Sequence, residues 1–165
     1  MDLRDYFHRR CSELLVMERE VWQLHSVMAQ ESRRADLKGF FERHNGPKRQ
    51  QISNLEQVVD DLGGIIGALE HPVTQAFRRM HRQFMEINPP PALIDIHHAL
   101  GANKLAHLEM AAYTEVIALA RQLGEEQFTR MLEGNLRTEE EMRASLEGML
   151  PEIISTGSDQ LRRAA

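Results

Sequence analysis

The chain has one cysteine, Cys11, in 165 residues. A single thiol closes no internal disulfide and builds no multi-cysteine zinc site, and it suits a reducing compartment, so a cytoplasmic location is expected. No apolar run approaches membrane-spanning length. The first ten residues, MDLRDYFHRR, place charges where a secretory signal needs an unbroken apolar core. Basic excess is also lacking. There are 20 Lys and Arg against 25 Asp and Glu, a net charge of -5, and the two signs are interspersed, which argues against a nucleic-acid partner. The one basic cluster, Arg78, Arg79, His81 and Arg82, interleaves with Phe77, Met80, Phe84 and Met85 at helical spacing and reads as a solvated helix face. Strand signals are scarce: few β-branched runs, no strict alternation and no Asn-Gly turn between apolar runs. Nucleophilic triads, phosphate loops and dinucleotide fingerprints are absent, since Gly63-Gly64 with Gly67 has no strand before it.

Helical periodicity fills the space these absences leave. Five helices are expected: Leu3 to Gln30; from the polar turn Ser32 to Asp36 on to Leu62, ended by Gly63-Gly64; a short one from Pro72 to Ile87, ended by Asn88-Pro89-Pro90-Pro91; Ala92 to Leu123, with Gly124 as C-cap; and Glu125 to Leu150, stopped by Pro151. Four long helices with two short turns and one longer connection predict an all-α protein. The expected architecture is an antiparallel ferritin-like four-helix bundle whose crossover holds the short extra helix. The bundle would occupy residues 1–154 and a loose C-terminal tail residues 155–165.

Steps of three and four along the first helix give Leu3, Phe7, Cys11, Leu14, Glu18, Val21, His25 and Met28 on one stripe. The fourth and fifth helices place Glu109 and Glu139 mid-stripe in the same way. The second helix places His44, Lys48 and Gln51 near the middle of its own stripe. A lone carboxylate in an apolar core must be neutralised, paired or metal-bound. Carboxylates converging from different helices of one bundle form the arrangement that holds two hard cations. His97 and His98 point about 100° apart on a helix and cannot form a two-histidine ligand pair. His25, His44 and His107 read as core packing residues, and His71 and His81 read as exposed.

Several stretches together carry a family resemblance: Leu15-Val-Met-Glu18-Arg-Glu-Val21, Phe41-Glu-Arg-His-Asn-Gly-Pro-Lys-Arg-Gln-Gln-Ile52, His107-Leu-Glu-Met-Ala-Ala-Tyr113 and Leu136-Arg-Thr-Glu-Glu-Glu141. They resemble the YciE/YciF-like proteins, a bacterial ferritin-like family, from about Asp5 to Leu150. The resemblance implies a ferritin-like bundle, a stress association, a homodimer, and no assigned activity. The chain departs from the family pattern where acids are expected: Gly46, Pro47 and Lys48 replace an acidic stretch and leave Gln51, Ala106 replaces one Glu, and Arg143 replaces an Asp.

A two-metal site of four positive charges usually meets at least four carboxylates, and only three are placed inward. The expected reading is therefore a non-catalytic ferritin-like helical protein, stress-associated by resemblance, with no cofactor. In it Glu18, Glu109 and Glu139 are held by Lys48, Arg143 and Gln51 in place of a di-metal centre. Its partners would be a second copy of the chain and a protein partner. The alternative is a metal-binding oxidase or store, with iron, manganese or zinc held by Glu18, Glu109 and Glu139 and a nitrogen from His44 or His107. Pro47 is expected to kink or split the second helix, with Asn45 able to cap a fresh start.

Overall fold

A computed structural model describes residues 1–67 and 70–164. It contains five helices: α1 (Leu3–Glu31), α2 (Ala35–Asp61), α3 (Pro72–Glu86), α4 (Pro91–Gln122) and α5 (Glu126–Ala164). No strand occurs among the described residues, and no helix there is long and apolar enough to cross a membrane. The helices α1 and α2 form one hairpin and α4 and α5 the other. The two hairpins pack α1 on α4 and α2 on α5, giving the antiparallel four-helix bundle, with α3 in the long crossover lying against α1.

The element ends follow from local chemistry. Asp2 caps α1 by accepting from the Asp5 N–H at 2.8 Å, while the Asp5 carboxylate accepts from the Asp2 N–H at 3.1 Å. Arg34 has no capping side chain for α2. Instead the buried Asp95 of α4 accepts from the backbone N–H groups of Arg33 at 2.7 Å and Arg34 at 3.2 Å. Gly124, at φ 72°, reverses the chain after α4, and the Glu125 N–H returns to the Ala120 carbonyl at 2.9 Å.

Two boundaries differ from expectation. Helix α2 runs unbroken through Pro47. Pro47 and Asn45 are exposed, and the Asn45 side chain does not cap a new helix but accepts from the Trp22 indole N–H at 2.6 Å. Likewise α5 does not stop at Pro151, and the expected loose tail is helical to Ala164; residue 165 lies outside the described residues. Burial explains the continuation. Ile153 is 1 % exposed in a cluster with Phe40, Phe41 and Leu146, and Gly157 is buried against α4. That packing offsets the cost of a proline inside a helix, ~3 kcal/mol.

Gly157 gives a test of this contact. A Cβ there would sit 2.8 Å from Ile96 Cδ1 and 3.5 Å from the Ala92 carbonyl oxygen. Gly157→Ala should be nearly neutral, because the Ile96 tip can move and alanine favours helix. Gly157→Val should cost about 1–3 kcal/mol in urea unfolding through overpacking.

The core consists of two apolar clusters. One centres on Phe7, Leu14, Leu55, Leu105, Val116 and Leu132, the other on Met28, Leu37, Phe40, Ala102 and Leu146. Cys11 lies in the first, where burial pushes its thiol up to about 12, so it packs as a small apolar side chain. On α2 and α5 a layer of polar residues separates the two clusters.

Candidate polar centre of the bundle

Each long helix contributes one charged side chain to that layer: Glu18 from α1, Lys48 from α2, Glu109 from α4 and Glu139 from α5. None is more than 1 % exposed. The stripe that buries each of them also fixes its depth. Glu18 lies one turn from Leu14 and Val21, Glu109 from Leu105 and Tyr113, and Glu139 from Asn135 and Met142, all buried.

The Lys48 ammonium is at the middle of the three acids. Its Nζ donates to Glu18 Oε2 at 3.0 Å, to Glu109 Oε1 at 2.6 Å and to Glu139 Oε1. An ammonium has three N–H donors and no acceptor, so three carboxylates from three helices use its whole hydrogen-bonding capacity. Gln51, one turn further along α2, donates to Glu139 Oε1 at 2.7 Å and to the Asn135 carbonyl at 3.1 Å. Asn135 donates to the Gln51 carbonyl and to the Tyr113 hydroxyl, each at 3.1 Å, and accepts from Asn54 at 2.8 Å. The network thus extends from the charged layer into the α2–α5 interface.

Burial alone would lower the Lys48 pKa, but the negative charges of Glu109, Glu139 and Glu18 outweigh it and hold it well above the ordinary value. The acids respond the other way. Burial raises Glu109 well above the usual carboxylate range, helped by repulsion from Glu139 and opposed by Lys48. Glu139 is also raised by burial, with Lys48 pulling it down and Glu18 pushing it up. The cluster therefore sheds part of its excess negative charge by retaining protons. The Tyr113 phenol, fully buried, is held protonated by burial and by the charges of Glu18 and Glu139.

Other anticipated residues lie elsewhere. Arg143 pairs with Glu147 one turn along α5 and does not contact the three glutamates. His44 Nδ1 bonds the Phe40 carbonyl at 2.7 Å, and its ring rests on Phe40 at 4.2 Å. The side chain of His107 is 52 % exposed, with Nδ1 on the Asn103 carbonyl and Nε2 3.7 Å from Glu147. Neither histidine joins the cluster, whose metal-capable atoms are carboxylate oxygens of Glu18, Glu109 and Glu139 within 4.8 Å of one another. One oxygen each of Glu18 and Glu139, and the side-chain amide oxygen of Gln51, have no hydrogen-bond partner among the described residues. Tyr113 and Asn54 are the members of the network that stripe reading does not single out.

Among curated proteins none matches the chain. Solved structures do. YcfI of Rhodopseudomonas palustris has 21 % identity and a TM-score of 0.82 over 89 % of this chain and 94 % of its own. The stress protein YciF of E. coli has 20 % identity and a TM-score of 0.85 over 94 % and 98 %. A protein of Xanthomonas campestris pv. campestris has 20 % identity and a TM-score of 0.82 over 98 % and 99 %. At these identities the likeness establishes a shared fold. A family model described as Domain of unknown function (DUF892) matches residues 2–158, nearly the whole chain, in keeping with the YciE/YciF-like resemblance of its motifs. The chain belongs to the DUF892 family.

Proposed function

We propose that this protein is a non-catalytic ferritin-like scaffold in which the Lys48 ammonium takes the place of a di-metal centre. The observation that carries this reading is the hydrogen bonding of Lys48 to Glu18, Glu109 and Glu139 at once. A divalent ion would compete with the ammonium for the same oxygens, and two such ions would add four positive charges to a site with three carboxylates and one fixed cation. The donor set also lacks the nitrogen ligand expected of a ferritin-like di-iron site. These residues do not fit a two-metal centre, and no oxygen or peroxide chemistry is derived from them.

In this reading the buried network fixes the register of the four helices, because only one axial alignment brings three acids onto one ammonium. Function then resides on the outer faces, in contacts with a second copy of the chain and with a protein partner. A stress-associated role is supported by likeness to the E. coli stress protein, and a cytoplasmic location by the lone, buried cysteine. Ferrous iron mixed with the protein in air tests the central claim. The scaffold should leave iron oxidation at the rate of buffer. A faster rate, lost in Glu18→Gln or Glu139→Gln protein of intact helicity, would replace this reading with the oxidase.

A further inference from the structure

A second group of ligand-type side chains lies outside the central layer, where α1, α3 and α4 meet. Glu31 closes α1, His81 lies on α3 and His98 on α4, and one donor atom from each falls within 4.8 Å of the others. Glu31 Oε2 is 2.9 Å from His81 Nε2 and 3.3 Å from His98 Nε2. His98 is fully buried, and the His81 side chain is only 11 % exposed rather than solvated as its sequence suggests.

The proton inventory at His98 carries the inference. Ser32 Oγ donates its single proton to the Met28 carbonyl at 2.7 Å. With its proton on that carbonyl, the same oxygen, 2.9 Å from His98 Nδ1, accepts there, and Nδ1 carries the ring proton. In the neutral ring Nε2 is then a bare lone pair facing the Glu31 carboxylate oxygen. Neither atom has a hydrogen-bond partner among the described residues. Two acceptors 3.3 Å apart repel one another unless a positive charge lies between them.

We infer that Glu31, His81 and His98 form a binding site for a divalent transition-metal ion, with zinc the best match to two imidazoles and one carboxylate. Ligands about 2.0–2.2 Å from a tetrahedral zinc lie roughly 3.3 Å apart, close to the separations of Glu31 Oε2 from the two rings. Ser32 plays the part of the outer hydrogen bond that fixes a ligating histidine's tautomer and aim. A surface cavity of about 250 Å³, lined by Glu31 and His81, gives the ion an entry path and room for water as fourth ligand. Arg78 also lines it but is drawn to Gln23 at 2.5 Å and to the Glu20 carbonyl at 3.3 Å. The ion would tie the crossover to the bundle. Helix α3 buries only Thr74 of its own residues and meets α4 through His81 and through Phe84, whose ring stacks on His97 at 4.0 Å. This site shares no residue with the central layer and stands whether or not Lys48 replaces a metal centre.

Cobalt(II), titrated into metal-free protein and followed by visible absorption, reports tetrahedral nitrogen and oxygen ligation. Zinc is then added to displace it. One equivalent should bind, giving intense d–d bands that zinc abolishes. Affinity should fall by more than about tenfold in His81→Ala and Glu31→Gln protein and by a smaller factor in Ser32→Ala protein. Limited proteolysis should show slower cleavage around α3 with zinc in wild type and no such protection in His81→Ala protein. Circular dichroism confirms that the variants fold, and His107→Ala, at the exposed pair with Glu147, should leave binding unchanged. The absence of tetrahedral cobalt bands, or bands retained at full affinity in both His81→Ala and Glu31→Gln protein, would overturn the assignment.

Discussion

Lys48→Met should destabilise the folded protein by about 3–5 kcal/mol at neutral pH, because it removes the one cation from a buried cluster of three carboxylates. The magnitude reflects the acids left behind more than the ion pairs lost. Glu18, Glu109 and Glu139 would face one another without water or counter-charge, all from fully buried positions. The deficit should shrink as the pH falls from 7 towards the ordinary carboxylate range, where protonation removes the repulsion. Wild type shows the complementary limit. The folded pKa of Lys48 is raised, so its contribution is complete below its ordinary value and is lost as the pH climbs through the raised one. Urea unfolding of both proteins from pH 5 to 8 would measure the variant's deficit and its decline with acid, a range over which the wild-type Lys48 contribution stays complete. A fourfold change that replaces Lys48 and the three glutamates by apolar residues of similar volume should recover most of the loss, as other buried ion clusters do. If Lys48→Met costs less than about 1 kcal/mol at every pH, the ammonium is not what neutralises the layer.

The second large effect concerns acid stability. His25 is buried against Phe41, its ring centroid 5.2 Å away, with Nε2 lacking a hydrogen-bond partner. Burial first, then the positive charges of Lys48 and His44, lower its pKa to about 3. The unfolded chain therefore binds a proton below pH 6.5 that the folded chain refuses. Stability from this residue is present above pH 6.5 and declines by about 1.4 kcal/mol per pH unit as the pH falls towards 3. In His25→Leu protein that term vanishes, so its acid unfolding midpoint should move to lower pH while stability at pH 7 changes little. Glu109 and Glu139, whose raised values favour folding on acidification, act equally in both proteins and cancel from the difference. Equal acid midpoints would contradict the assignment of His25 as a neutral core residue.

Helical periodicity carries much of this structure on its surface. Glu18, Glu109, Glu139, Lys48 and Gln51 each stand on a helical stripe whose other members are mostly apolar, and a bundle has one interior to receive them. What periodicity cannot supply is the competition among partners. Arg143 has Glu147 one turn along its own helix, an intrahelical pair formed at the rim where water still reaches both side chains. It has no reason to enter a dry core that Lys48 already serves. Pro151 misleads in a similar way, because its effect on an isolated helix is outweighed by the packing of Ile153 and Gly157. The group of Glu31, His81 and His98 is illegible for a third reason. The neighbours His97 and His98 indeed diverge, but His98 meets a histidine of α3, and the register of a crossover helix is not set by any repeat along the chain.

Manganese(II), titrated by electron paramagnetic resonance into Glu31→Gln protein, addresses the central claim most directly. This variant removes the peripheral carboxylate, so any tight manganese must lie among oxygen ligands elsewhere, and the three central glutamates are the obvious ones. With Lys48 in place of a metal, the free manganese signal should grow from the first addition, and a chelator should leave the melting curve unchanged. One or two equivalents of bound manganese, lost on Glu109→Gln substitution, would show that these carboxylates still serve a metal.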